Sequence, residues 1–415
     1  MLRSIVGFAL LVQALAILPA GAAETIKIAY IDGLSSAFAL QFEEALKAFQ
    51  AAADMVNSRG GVLGGKKIEI VPFDNKASPQ ETLIVLKQAT DQNIRFVASS
   101  VSSVAHAISD ALVKHNARNP DRRVLFLDYQ ALDPALTELK CNFWHFRFDA
   151  HADTQVGVLT DYIAKQSSIR KVYLINPDYA YGQAVRQAAK AMLAAKRPDV
   201  QIVGDDLIPL GKVKDFAPYV AKIHASGADS VVTSNWGNDQ SLLVKASREA
   251  GLKATYYALL TTLPGSVAVM GPSAADRVKT VSPWHINAAD SAWQKVLLDY
   301  KMRYKANTNL AYLPAYRVVE MLVSAINTAG TTDPVKVAYA LEGMKYLGPT
   351  GESWMRAEDH QIIAPIYVMS FAKVGQPGVN HDEEGTGYGW KTDALIEAKD
   401  IVPPIKCQME RPPAQ

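Results

Sequence analysis

Ile26-Lys27-Ile28-Ala29-Tyr30-Ile31-Asp32 is a β-rich run, and behind it Phe38, Phe42, Ala45, Phe49, Ala52 and Val56 recur at spacings of three and four before Gly60-Gly61. The run reads as a strand, and the spaced residues place one apolar stripe on a helix that stops at the glycine pair. A strand followed by a helix with one apolar face predicts a βαβ unit, the helix covering a sheet. The rhythm continues with strands at 68–74, 96–99 and 124–128, separated by helical patterns at 79–91 and 103–114. A second series has strands at 171–176, 202–208, 230–234 and 255–260, with helices such as 181–195 and 239–250. Two α/β lobes with parallel-rich sheets are the expected fold. After Trp284 the pattern turns helical at 291–304, 314–329 and 334–343, then strand-like at 366–372. From Val374 the chain is rich in Gly, Pro and charge and reads as irregular surface chain fastened near Cys407.

The length of 415 residues suits two domains at about 150 residues each. With 49% hydrophobic and 20% charged residues the chain is not disordered. Forty-three basic against 41 acidic side chains leave a net charge of +2, without the excess that phosphate backbones reward, so no nucleic-acid partner is expected. Arg3, an apolar stretch over 5–18 and Ala20-Gly21-Ala22 describe a secretory signal peptide, 1–22, cleaved after Ala22 or Ala23. Pro19 ends the apolar run short of the roughly 20 residues a span needs. No cysteine stands at the cleavage site to take a lipid. A periplasmic protein with no membrane insertion after cleavage is expected.

Catalytic motifs are absent. Gly60-Gly61-Val62-Leu63-Gly64-Gly65-Lys66-Lys67 lacks the final Ser/Thr of a phosphate-binding loop and precedes a strand, so it reads as a turn needing positive φ. There is no H-E-x-x-H, C-x-x-C or G-x-S-x-G run, and the eight histidines show no ligand spacing, so neither metal nor cofactor is expected. What stands out lies at the carboxyl ends of the strands, where open α/β sheets bind small molecules against helix N-termini. Those loops carry Ser35, Ser99-Ser100-Val101-Ser102-Ser103, Asp128-Tyr129-Gln130, Asp178-Tyr179-Ala180-Tyr181-Gly182, Asn235-Trp236-Gly237-Asn238 and Thr261-Thr262. Singly each serine also reads as a helix cap; the concentration at six strand ends points to a binding cleft.

The run 57–73 with its Gly-Gly-Val-Leu-Gly-Gly-Lys-Lys core resembles the leucine/isoleucine/valine-binding type of periplasmic solute-binding protein, which feeds ABC importers. So do Val101-Ser102-Ser103, Asp133-Pro134-Ala135-Leu136-Thr137, Tyr179-Ala180-Tyr181-Gly182, Ala250-Gly251-Leu252 and Ala357-Glu358-Asp359-His360-Gln361, in that order across nearly the whole mature chain. The resemblance implies a type I fold: two Rossmann-like lobes joined by three crossovers, near Phe146, Pro283 and Gly348, with solute trapped between them. Lobe 1 is then 23–145 plus 284–348, lobe 2 is 146–283 plus 349–380, and 381–415 is a tail fastened to lobe 1. It implies that Ser103 holds a ligand carboxylate, that Tyr181 and Trp236 are aromatic cleft residues, and that the loop 128–132 completes the polar contacts. It also implies an ABC permease as partner and no enzymatic activity.

The sequence departs from the amino-acid-binding pattern at two places. Leu132 stands where a threonine is usual, and Thr261 or Thr262 where an acidic residue receives the ligand ammonium. A buried ammonium without an anionic partner costs several kcal/mol. Asp128 either restores that charge or caps its loop. With Tyr129, Tyr181, Trp236 and Trp284 available, an apolar or aromatic carboxylate is the rival to a small amino-acid-like solute. The ligand-binding candidates are Ser35, Ser102, Ser103, Asp128, Tyr129, Gln130, Tyr181, Asn235, Trp236, Thr261 and Trp284. A ligand sensor on the same fold and, more distantly, a secreted α/β enzyme are the alternatives. Cys141 and Cys407 are the two cysteines, and an oxidising compartment permits a disulfide fixing the tail to the first lobe.

Overall fold

A computed structural model describes residues 25–288, 291–306 and 312–414; the signal peptide expected at 1–22 lies outside them. Five strands, β1 (Thr25–Asp32), β2 (Lys67–Asp74), β3 (Phe96–Ser99), β4 (Leu125–Asp128) and β5 (His145–Arg147), form an all-parallel sheet of order β2-β1-β3-β4-β5. Helices α1 (Ala39–Ser58), α2 (Pro79–Asp91) and α3 (Ser102–Arg118) connect them. The second lobe alternates α4 (Ala152–Ala164), β6 (Lys171–Pro177), α5 (Ala180–Lys196), β7 (Gln201–Ile208), α6 (Ala217–Ala225), β8 (Ser230–Thr233), α7 (Gly237–Glu249), β9 (Thr255–Leu259), α8 (Ser266–Met270) and β10 (Val278–Ser282). Helices α9 (Ser291–Tyr304), α10 (Leu313–Ala329) and α11 (Pro334–Leu341) follow. Strands β11 (Lys345–Gly348), β12 (Gly351–Met355) and β13 (Ile362–Ile363) make a small antiparallel sheet, and β14 (Ile366–Lys373) and β15 (Tyr388–Ile396) complete a seven-stranded sheet of order β15-β14-β10-β9-β8-β6-β7.

Local chemistry explains these elements. The α1 stripe buries Phe42, Ala45, Phe49, Ala52 and Val56, and the helix stops where the Gly61 amide reaches back to the Val56 carbonyl. Gly61 has φ +74°, and a Cβ there would stand 2.3 Å from the Lys66 carbonyl oxygen, so the glycine-rich run is a tight turn into β2. Helix α2 starts at Ser78, whose hydroxyl accepts from the Glu81 amide, with Pro79 in the first turn; such a cap is worth about 1 kcal/mol.

Two expectations are corrected. The chain beyond Val374 is not all irregular: β15 pairs antiparallel with β14 along its length. Gly375, Pro377, Gly378, Gly385 and Gly387 belong to the loop joining the two strands, the remaining prolines lie in irregular chain after β15, and Lys391 and Asp393 are the charges that an edge strand carries; Asp393 accepts from Lys279 at 2.8 Å. Nor does the chain cross between lobes at Gly348. That glycine pairs with Gly351 in the β11–β12 hairpin, and the crossing comes at Ala364-Pro365, between β13 and β14.

The first crossover, 148–151, is gripped from both sides. The buried Arg317 donates to the Phe148 carbonyl at 2.9 Å, Gln361 donates to the Asp149 carbonyl at 2.8 Å, and the His360 ring stacks on Phe146 at 3.8 Å. The chain returns after Ser282. A further connection leaves β15 and lies on the first lobe, where Arg356 binds the Pro403 carbonyl, Lys406 pairs with Glu138 at 3.0 Å, and Cys407 is bonded to Cys141, 266 positions away. Closing so long a loop restrains the unfolded chain, and loss of such a bond costs about 2–5 kcal/mol. Replacing both cysteines by serine is expected to lower the denaturant midpoint accordingly; an unchanged midpoint would mean that the tail is held by its ionic contacts alone.

Candidate functional site

The carboxyl ends of both sheets face one another across a narrow cleft. From the first lobe come Gln41 and Phe42 of α1, Ser100, Val101 and Ser102 at the start of α3, Tyr129, Gln130 and Leu132 after β4, and Tyr312 before α10. From the second come Tyr179, Tyr181, Trp236, Leu260 and Leu263. Among the described residues, no Asp, Glu, Lys or Arg side chain lines this space. Positive potential comes instead from backbone: α3, α5 and α7 all begin at the cleft, their N-caps Val101, Tyr179 and Trp236 bringing no side-chain cap. Each helix start carries unpaired N–H groups and about half a positive charge.

Glycine sets the geometry at α5. A Cβ on Gly182 would stand 1.8 Å from the Pro177 carbonyl oxygen, so the helix starts flush against the end of β6 and swings Tyr181 into the gap. The Tyr181 hydroxyl is buried and has no hydrogen-bond partner among the described residues. Burial pushes its pKa far up, which keeps it neutral. Trp236 donates from Nε1 to the Tyr179 hydroxyl at 3.1 Å, and its ring lies 4.0 Å from Phe38 of the opposite lobe. Gln41 donates across the gap to the Pro264 carbonyl at 2.6 Å. The lobes are closed on one another through these two contacts.

Five sequence candidates meet here: Ser102, Tyr129, Gln130, Tyr181 and Trp236. Six do not line the cleft. Ser103 is one position too far along α3. Ser102 takes the inward place, and its hydroxyl accepts from the Asp133 amide at 3.2 Å, leaving its hydrogen free to donate. Asp128 caps its own loop, accepting from the Gln130 and Ala131 amides at 3.1 and 2.6 Å, and its other oxygen meets His145 at 3.0 Å. Desolvation depresses His145, although Asp128 opposes the shift. Ser35 is exposed, its amide donating to Asp74 at 3.3 Å. Asn235 is buried beneath the second sheet's edge and donates to the Ile175 carbonyl at 3.3 Å. Thr261 bonds to Thr280 at 2.9 Å inside the lobe, because Leu260 takes φ +55° and presents itself to the cleft instead. Trp284 is buried at the second crossover, where its backbone binds the Ser282 hydroxyl.

The lining residues outside the sequence candidates are Gln41, Phe42, Ser100, Val101, Leu132, Tyr179, Leu260, Leu263 and Tyr312, of which the resemblance places Leu132 in the ligand-contacting loop 128–132. Ser100 and Tyr179 stand in strand-end loops and were legible as loop residues. Phe42 was absorbed into the sheet-covering stripe, and Tyr312 follows a long return that no local pattern connects to the cleft.

Two lobes closing on a small space walled by rings, with no Asp, Glu, His, Cys, Lys or Arg among the described residues that line it, make a trap for a small molecule. The chain belongs to the periplasmic binding protein family, whose model matches residues 25–376; it is a solute-binding protein of a non-enzymatic, periplasmic family. Leu/Ile/Val-binding protein homolog 4 of Brucella abortus (strain 2308) is 30% identical over 398 residues, 94% of either chain. The closed leucine-, isoleucine-, valine-, threonine-, and alanine-binding protein of Brucella ovis superposes with a TM-score of 0.82 at 29% identity, covering 94% of this chain and 100% of that one. A Rhodopseudomonas palustris BisB5 solute-binding protein of an ABC transporter, solved with 3,4-dihydroxybenzoic acid, shares the fold at TM-score 0.77 and 20% identity, covering 90% and 98%. No helix among the described residues is long and apolar enough to cross a membrane.

Ser102→Ala is expected to weaken solute binding by on the order of tenfold, the loss of one buried hydrogen bond. Ser103→Ala should stay within about threefold of wild type on the same scale. Calorimetric titration of both variants checks this, and the opposite order would return the role to Ser103.

Proposed function

We propose that this protein is the extracytoplasmic receptor of an ABC importer and captures an apolar or aromatic carboxylate by hinge closure. The observation that carries the reading is the lining itself: among the described residues six aromatic side chains, no charged side chain, and the start of α3 with the Ser102 hydroxyl. A carboxylate placed at that helix start meets N–H donors and positive partial charge. An aromatic body stacks between Trp236 and the tyrosines, where burial of a ring is worth a few kcal/mol. The Tyr181 hydroxyl is then free to meet a second polar group of the solute.

The protein solved with 3,4-dihydroxybenzoic acid supports an aromatic acid, and the relatives named for leucine, isoleucine and valine support the second reading, a branched-chain amino acid. Its ammonium would find only neutral oxygens in this cleft, such as those of Gln41 and Gln130. The aromatic acid is therefore favoured. Export through a signal peptide at 1–22 and docking of the closed form on a membrane permease complete the proposal.

A thermal-shift panel tests it. A solute at about one hundred times its Kd adds about 2.7 kcal/mol, a rise of several degrees. Benzoate and 4-hydroxybenzoate are expected to give that rise and leucine a smaller one; a rise with leucine, isoleucine and valine alone would overturn the aromatic reading.

A further inference from the structure

Asp32 ends β1 directly behind the cleft wall and is fully buried. Its Oδ1 lies 3.1 Å from the Ser100 hydroxyl and 3.3 Å from that of Ser99, and its Oδ2 lies 2.7 Å from the Tyr129 hydroxyl. Ser100 and Tyr129 both line the cleft. The Tyr129 hydroxyl is also 3.1 Å from that of Tyr30, which lies 2.8 Å from the Phe42 carbonyl oxygen.

Counting hydrogens along this row argues for a proton on Asp32, against the Ser99 and Ser100 hydroxyls that donate to its other oxygen. Three contacts run from Asp32 to Tyr129, to Tyr30 and on to the Phe42 carbonyl, and each needs one hydrogen. The two phenols bring one apiece. A proton on Asp32 Oδ2 supplies the third, giving one direction throughout: Asp32 donates to Tyr129, Tyr129 to Tyr30, and Tyr30 to the carbonyl. An ionised Asp32 would draw the Tyr129 hydrogen to itself and leave two buried phenol oxygens, or Tyr30 and the carbonyl, facing each other with none between, a penalty of about 1–3 kcal/mol.

The surroundings agree. Tyr30 on its own strand, Ser99 at the end of β3, Ser100 after it, Tyr129 after β4 and Tyr312 before α10 face Asp32. Asp74 lies beside it in register on β2, and Glu44 of α1 stands behind Tyr312. None is a cation. Burial, opposed by hydrogen bonds from Tyr129, Ser100 and Ser99, raises Asp32 to about 7. Desolvation, and after it the Asp32 charge, pushes the three tyrosines far up, so they stay neutral. Asp74, despite some desolvation, is held low by Ser35 and Lys76 and stays ionised.

We propose that Asp32 works as a neutral acid in the closed protein and is the positioning residue that sets the charge preference of the cleft. Its proton lets the first lobe hold a carboxylate in front of it, and ionising it turns the same wall against anions. The inference rests on the carboxylate reading of the solute. Linkage fixes the sign: an anion bound nearby strengthens the hold of Asp32 on its proton, so binding is fully expressed below the pKa of Asp32 and weakens as pH rises through it.

Calorimetric titration with benzoate, ionised throughout, at about pH 6 and about pH 8 in two buffers of different ionisation enthalpy, tests the coupling. Wild type is expected to lose on the order of tenfold in affinity across that interval and to take up protons on binding. Asp32→Asn, whose amide N–H replaces the acid O–H toward Tyr129, should hold the low-pH affinity at both values with no uptake. Wild-type affinity that ignores pH, or Asp32→Asn that is folded and no longer binds, would overturn the proposal. A ¹³C carboxyl titration of the ligand-free wild type needs neither solute nor variant: a midpoint well above the ordinary value of about 4 supports it, and one at that value overturns it. If leucine binds and benzoate does not, the carboxylate reading of the solute falls, and the carboxyl titration still decides the state of Asp32.

Discussion

Unpaired backbone N–H groups at three helix starts, gathered into a space where no described residue brings a charged side chain, are the constraint on which this molecule depends. Parallel strands place every following helix with its N-terminus at the same sheet edge. Two such sheets, facing each other edge to edge, bring α3, α5 and α7 to one cleft. Aromatic walls exclude water there, and in low dielectric the partial charges act at greater strength. The same walls make any uncompensated side-chain charge expensive, and burial behind them raises the pKa of Asp32.

Much of the fold was legible because periodicity carried it. The stripe from Phe38 to Val56, the alternation of short β-rich runs with amphipathic ones, and the turn glycines at 60–65 all agree with the structure at the level of elements. Failures came where composition was averaged across unlike pieces. Residues 374–396 mix a Gly/Pro loop with an edge strand, and the strand was lost in the average. The crossover placed near Gly348 on the strength of the resemblance falls inside the β11–β12 hairpin, where Gly348 pairs with Gly351. The resembling segments Asp133-Pro134-Ala135 and Asp359-His360-Gln361 prove to serve the hinge: Arg147 donates to the carbonyls of Asp133, through its side chain, and of His360, through its backbone.

The site was legible as a place more than as a set of side chains. Loops at strand ends were the right region, and Tyr181 and Trp236 fell where the resemblance put them in the cleft. Which residue of a loop faces inward depends on a turn of backbone that sequence does not display. One residue separates Ser103 from Ser102, and the left-handed conformation at Leu260 exchanges Thr261 for leucine. Asp32 gave no signal at all, since a carboxylate ending a strand reads like any other until its partners from β3 and β4 are known.

Closure is the step that turns these walls into a function. Each lobe holds its own half of the site on rigid elements, and the gap is sealed by Trp236 on Phe38 and Gln41 on the Pro264 carbonyl, contacts that exist only when the lobes meet. The crossovers at 148–151, after Ser282 and at Ala364-Pro365, with the connection after β15, are the segments that the proposed closure would bend. Small-angle X-ray scattering of protein stripped of solute, then saturated with its tightest-binding solute, measures the motion directly. A radius of gyration that contracts on saturation is the result this account predicts; one that stays the same with and without a bound solute would contradict it.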